Sequence, residues 1–112
     1  MITKDLVAAS ARPLILTILS QGESYGYEII QQVKTLSGGH LQWKDGMLYP
    51  VLHRLKAEDL IEDEWRSAPN GRRRKYYRLK KQGHTALAQE RKQWDIVQAT
   101  LEKLWGDKPC LT

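Results

Sequence analysis

Asn70 and Gly71 are followed without interruption by Arg72, Arg73, Arg74 and Lys75, and then by Tyr76 and Tyr77. Guanidinium and ammonium groups at this density suit one chemistry above others, the binding of an extended polyanion such as a phosphate backbone. The stretch from Arg66 to Gln89 holds eight of the 18 Lys and Arg residues and none of the 13 acids. The remainder of the chain is acidic on balance, so the formal charge of +5 is a local excess. Concentrated charge attracts a polyanion, whereas interspersed charge mainly solubilises. A solvated loop that happens to be basic is the alternative.

Other chemistries find little to work with. His40, His53 and His84 are scattered and show no HExxH or other metal-ligand spacing. Glu58, Asp59, Glu62, Asp63 and Glu64 are dense, but they span a helix end and a strand, where alternate residues point apart. The sequence has neither a G-x-S-x-G elbow nor a phosphate-binding glycine loop. The expectation is a protein that is not an enzyme, with no metal site and no cofactor. Cys110, the single cysteine, forms no internal disulfide, which fits a reducing cytoplasm, and no role is assigned to it. No stretch approaches 18 apolar residues, and Asp5 stands where a signal peptide would be cationic or apolar. A cytoplasmic location without membrane contact is therefore expected.

The elements that must position the cations follow from periodicity. Residues 61–66, IEDEWR, and 74–79, RKYYRL, alternate in the manner of strands. Pro69 and Asn70-Gly71 between them supply the fixed and positive φ of a hairpin tip. A two-stranded hairpin is predicted, with the acids of its outgoing strand opposite the cations of its return strand. Tyr77 and Leu79 point inward, and Tyr76 is freer to meet a ligand. Trp43 and Trp65 are expected to be core or half-buried.

Upstream, three helices are predicted. The first covers about residues 3–20, with a break or kink at Pro13. The second runs from about Tyr25 to Leu36, with Ser24 as candidate N-cap and Ile29, Val33 and Leu36 as its inner stripe. The third runs from Asp45, a candidate N-cap, to about Glu58, with Leu48, Leu52 and Leu55 inward. Pro50 is tolerated if it lies within the first turn. Tyr49, His53, Arg54 and Lys56 form the outward face, with Lys44 just ahead of it. Three helices followed by a basic hairpin is the layout of a winged helix-turn-helix, whose third helix enters the major groove while the hairpin follows the phosphates or a minor groove.

YGYEI (25–29), GMLYPVLHRL (46–55), LIEDEW (60–65) and GRRRKYYRL (71–79), in this order and spacing, closely resemble the PadR family of bacterial transcriptional regulators. The resemblance covers about residues 14–84, and the short C-terminal segment is similar to the subgroup that ends in a single helix. It implies a dimeric winged-helix DNA binder, usually a repressor released by a small effector. By motif position it places Tyr49 and Pro50 on the recognition-helix signature and Gly71 to Lys75 on the wing. Met47 stands where many members carry Thr, which implies different base contact or capping at the helix start. Lys80 stands where a Thr commonly caps the last helix, which implies a less sharp start.

Residues 81–105 carry Leu87, Trp94, Val97, Leu101 and Leu104 at spacings of 7, 3, 4 and 3. That is a narrow a/d seam over about 37 Å of helix. The seam folds back on its own domain or meets a second copy of the chain, with Leu6 and Leu14 of the first helix as additional contacts. The second copy is preferred. A two-fold dimer presents two recognition helices to a palindromic double-stranded DNA operator with half-sites about 34 Å apart. Trp94, in mid-seam, is the candidate effector residue: paired indoles suit a small flat aromatic, as in some relatives, although an aromatic at helical spacing is more often plain packing.

The expected fold is thus mainly α with a small β-hairpin: a winged-helix DNA-binding domain over residues 1–80 and a C-terminal dimerisation helix over 81–112. The candidate DNA contacts are Lys44, Tyr49, Pro50, His53, Arg54, Lys56, Arg72, Arg73, Arg74, Lys75 and Tyr76. The alternative is a winged-helix module that binds protein or RNA without an operator.

Overall fold

A computed structural model describes residues 2–106, so Cys110 lies outside the described residues. Four helices and three strands follow in the order α1 (Lys4–Ser20), β1 (Ser24–Tyr25), α2 (Gly26–Leu36), α3 (Asp45–Ala57), β2 (Ile61–Ser67), β3 (Arg73–Leu79) and α4 (Lys81–Trp105). This is the expected winged helix-turn-helix with a long last helix.

Helix α1 is the hub, packing against α2, α3, α4 and β3. Ala11, Ile15, Leu16, Ile18 and Leu19 are buried, an apolar surface too wide for a helix with a single covered face. Thr3 caps it, accepting the Leu6 N–H at 3.3 Å. The helix runs through Pro13 without the break expected there. A hydroxyl bond from Thr17 Oγ1 to the Pro13 carbonyl, at 2.7 Å, engages one of the backbone groups beside the proline.

Helix α3 buries Leu48, Leu52 and Leu55 against α1 and α2. Each is worth about 1.5–3 kcal/mol relative to exposure, which pins the rotation of the helix about its axis. Its N-cap is Lys44, not Asp45, which instead sits in the first turn, where a carboxylate favours the positive end of the helix dipole. Pro50 is the sixth helical residue, past the first turn. The helix continues over it because the missing donor would have served the carbonyl of Gly46, which is exposed to water.

Helix α2 is likewise shifted from expectation. Tyr25 occupies the N-cap without a side-chain bond, and Ser24 is buried, its hydroxyl donating to Glu28 Oε1 at 2.6 Å. Ser24 is drawn away from capping because its backbone pairs with β3, Ser24 opposite Tyr77 and Tyr25 opposite Tyr76. The sheet is therefore three-stranded, in the order β1-β3-β2, rather than a lone hairpin. Leu36, assigned to the inner stripe, is 79% exposed, since the chain turns away at Ser37 before the last turn of α2 meets the core.

The hairpin register sets Ile61 opposite Leu79 and Ser67 opposite Arg73. Gly71 takes a φ of +83° at the tip, where the Arg72 N–H donates to Asn70 Oδ1 at 3.0 Å. Tyr77 is buried, as the alternation predicts. Lys80 precedes α4 with no side-chain cap; its backbone N–H donates instead to the Leu60 carbonyl at 2.9 Å. Only Gly83 of α4 is fully buried, and the helix leaves the globule to give extents of 62 × 29 × 22 Å.

Candidate nucleic-acid interface

The outer surfaces of α2, α3 and the hairpin meet in an open cleft of about 650 Å³. Tyr25, Gly26 and Tyr27 supply one wall, Tyr49 and His53 of α3 the floor, and Trp65 with Arg72 to Lys75 the opposite wall. Helix packing and hairpin register together bring the first turns of α3 beside the wing. The arrangement is a concave, cationic surface with aromatic faces, chemically suited to phosphate, sugar edges and bases.

The basic segment divides by partner. Arg66 is forked against Glu23 and also reaches Glu64 at 3.1 Å. Arg78 binds Glu62 at 2.8 Å and Glu64 at 2.7 Å, and Lys80 binds Asp59 at 2.5 Å. These pairs hold the Glu23 and Glu64 carboxyls below the usual carboxylate range, with Arg66 and Arg78 as the first causes respectively. They are exposed and contribute little each, but they neutralise cations at the base of the hairpin.

Toward the tip, cations rest on aromatic rings instead. The Arg73 guanidinium lies 5.7 Å and the Lys75 ammonium 5.3 Å from the centre of the Trp65 ring. Arg74 lies 4.3 Å from the Tyr25 ring, which meets Tyr76 edge-on at 5.4 Å. Stacking leaves the charge intact and restricts the side chain, so these cations are presented rather than neutralised. Arg72 is exposed and has neither an acidic nor an aromatic partner among the described residues. It is the freest cation of the wing.

The α3 candidates separate in the same way. Lys44, Pro50, His53 and Arg54 are exposed, with His53 lining the cleft. Lys56 is turned back to the hairpin, 3.0 Å from both oxygens of Asp63, which also lies 3.5 Å from Lys75. Burial alone would push the Asp63 carboxyl up, but the two lysines outweigh it and hold it below its ordinary value. Tyr49 leans on Gly26, and burial, with Asp45 adding to it, pushes its phenol up. Tyr76 is half-covered by Tyr25 and by Arg66, whose guanidinium lies 4.8 Å from its ring. Lys56, Tyr49 and Tyr76 thus shape the cleft as much as they line it.

Trp65 departs from the expectation of a core or half-buried ring, being 54% exposed. The hairpin extends past the helices, so its inward face near the tip has no core above it. Trp43, by contrast, is buried. Tyr25 and Tyr27 escaped the sequence reading as cleft residues. The available signal was the YGY motif itself, two aromatics flanking a glycine too small to obstruct a neighbouring helix.

On the opposite side, Trp94 packs on α1 beside Leu6, Pro13 and Leu14, in an apolar groove of about 410 Å³, and remains 37% exposed. The first half of α4 therefore folds back on its own domain, and Leu87 joins the core. Beyond it, Val97, Leu101 and Leu104 are exposed, as are Ile96 and Trp105. Among the described residues no helix is long and apolar enough to cross a membrane, and none of the His, Asp and Glu residues cluster as a metal site.

Comparison with known proteins agrees with this geometry. Residues 15–89 match the model of the transcriptional regulator PadR-like family. A transcriptional regulator from Clostridium thermocellum has a solved structure that superposes with a TM-score of 0.82 at 26% identity, over 92% of this chain and 97% of that one. The transcriptional regulator Rv3488 of Mycobacterium tuberculosis is 34% identical over 89 residues, 80% of this chain and 79% of the relative. The transcriptional regulator YqjI of Escherichia coli is 32% identical over 91 residues, which are 81% of this chain but only 42% of that longer protein. The chain belongs to the PadR-like family of transcriptional regulators and is a winged-helix protein of the DNA-binding kind.

Proposed function

We propose that the protein is a homodimeric repressor that grips a palindromic operator and is released by a small aromatic effector. The observation that carries this reading is the cleft, where four consecutive cations stand without an acidic partner or, for Lys75, with one at 3.5 Å. His53, Arg54 and Lys44 approach base edges in the major groove, with Tyr49 and Pro50 beside them at the helix start. Arg72, Arg73, Arg74 and Lys75 hold the phosphates, and Tyr76 and Lys56 brace them. Residues 1–80 act as the DNA-binding domain and the helix from residue 81 as the dimerisation element, placing the protein in the cytoplasm with its DNA.

Dimerisation is supported by the exposed seam. Val97, Leu101 and Leu104 continue the line of Leu87 and Trp94 into solvent, with exposed Leu6 and half-buried Leu14 alongside. A second copy is the simplest cover for them. A compact regulator without further domains represses by occupying a promoter. The groove at Trp94 is almost wholly apolar and suits a flat neutral ring. Trp94 fluorescence, titrated with planar aromatics and compared with a Trp94→Ala control, tests that part of the reading.

Selection of bound sites from a random duplex library, followed by salt titration on the selected site, tests the main reading. If each subunit neutralises about four phosphates, the log–log salt slope is about −7. Substituting His53 or Arg54 changes sequence preference by about 1–3 kcal/mol per lost base contact. A Leu101→Asp variant sediments as a monomer and loses operator affinity. A wild-type protein that is monomeric and indifferent to every duplex overturns the proposal.

A further inference from the structure

Arg12, on α1, holds two acids from two other helices with one guanidinium. Its two terminal nitrogens donate to Glu58 at 3.0 and 2.8 Å, and its Nε donates to Glu90 at 2.7 Å. Glu58 is the C-cap of α3, and Glu90 lies on α4, half-buried ten residues past its N-cap. A planar guanidinium engaged along two edges fixes direction as well as distance.

The same end of α3 is fastened to α4 a second time. Asp59, in the left-handed conformation that ends α3 (φ +65°), accepts from Lys80 Nζ at 2.5 Å and from Gln82 Nε2 at 3.3 Å. Helix α1 packs against both α3 and α4. The C-terminal end of the recognition helix is thus held at two points against the first three turns of α4, one point being the Arg12 fork.

We propose that Arg12 is a positioning residue for DNA reading: through Glu58 and Glu90 it locks the attitude of α3 to that of α4. The inference rests on the assignment of α3 to the DNA. It adds that movement of α4, whether by partner or by effector, reaches α3 through this fork. Neither Glu58 nor Glu90 lines the cleft, so the fork acts without touching DNA.

The sign of one substitution isolates the role. Glu90→Gln removes a negative charge, and by long-range electrostatics alone that leaves DNA affinity unchanged or raises it. If the fork positions α3, Glu90→Gln instead weakens binding to the selected operator about fivefold, the lower end of coupling between distant sites. The salt slope stays unchanged because no phosphate contact is lost. In an Arg12→Ala background Glu90→Gln then has no further effect. Arg12→Lys, which keeps the charge but not the fork, gives an intermediate loss and serves if Arg12→Ala does not fold. Circular dichroism and melting verify that each variant is native. A folded Glu90→Gln protein that binds the operator as well as or better than wild type overturns the positioning role alone. Wild-type protein that binds no duplex overturns the DNA assignment and this role with it.

Discussion

Tyr49 and Gly26 are complementary in shape: the phenol of Tyr49, on the recognition helix, occupies the space that a side chain on Gly26 would need at the start of α2. Tyr49 is partly exposed and its hydroxyl is the end of a movable side chain. Gly26→Ala therefore costs only about 1 kcal/mol of stability, near the lower limit for overpacking, because the ring swings outward rather than the backbone shifting. The displaced ring enters the cleft and changes operator preference. A double-mutant cycle with Tyr49→Ala, read by binding to selected duplexes, shows coupling of at least about 0.5 kcal/mol. Additive effects exclude the contact as the cause.

The division of the wing cations predicts unequal roles. Arg72→Ala weakens binding to all duplexes alike and shallows the log–log salt slope by about 0.9. Arg78→Ala, which removes a cation already paired with Glu62 and Glu64, shallows it by much less. Trp65→Ala removes no charge, so it lowers affinity by about 0.5–1 kcal/mol through loss of the platform under Arg73 and Lys75 while the slope holds. Salt titrations of the three variants on one duplex decide the matter.

Gly83 faces a less forgiving neighbour than Gly26. A Cβ there would collide with the Leu60 carbonyl, a backbone atom, and with the Leu79 side chain. The same carbonyl accepts the Lys80 N–H, so it is not free to retreat. Gly83→Ala is expected to cost about 3 kcal/mol, at the upper part of the overpacking range, despite the better helix propensity of alanine. Thermal melting should show a drop of more than about 10 °C.

Tyr77 gives the fold an alkaline limit. Burial, with Tyr49 and Asp63 nearby, pushes its phenol up to about 12, above the ordinary value near 10. A raised folded value means the neutral form is favoured in the native state. The associated stability is complete below pH of about 10 and is lost as pH rises toward about 12. Phenolate absorbance should show one tyrosine ionising late and together with unfolding. In Tyr77→Phe that late step disappears. A Tyr77 that titrates near pH 10 without loss of structure contradicts its buried placement.

Much of the fold was legible along the chain. Leu48, Leu52 and Leu55 at helical spacing located α3, and the alternation around Asn70-Gly71 located the hairpin with Tyr77 inward. Local signals suffice there because periodicity and turn chemistry act over a few residues. The two-residue strand β1 has no period to read, so Ser24 was taken for a cap although its backbone belongs to the sheet.

The candidate interface was legible as a place and not as an arrangement. Sequence alone determined that the positive charge is concentrated near the hairpin tip, that a helix with an exposed polar face precedes it, and that an apolar seam trails it. Only the tertiary structure decided which cations stay available. Arg66 finds Glu23 at a separation of 43 residues, Arg78 finds Glu62 at 16, and Lys56 turns to Asp63 at 7, whereas Arg72 finds no acid among the described residues. Charge partners are set by which side chains the sheet register and helix packing bring within a few ångströms. Coulomb attraction in water fades over that scale, so composition locates the charge and folding selects the part of it left for DNA.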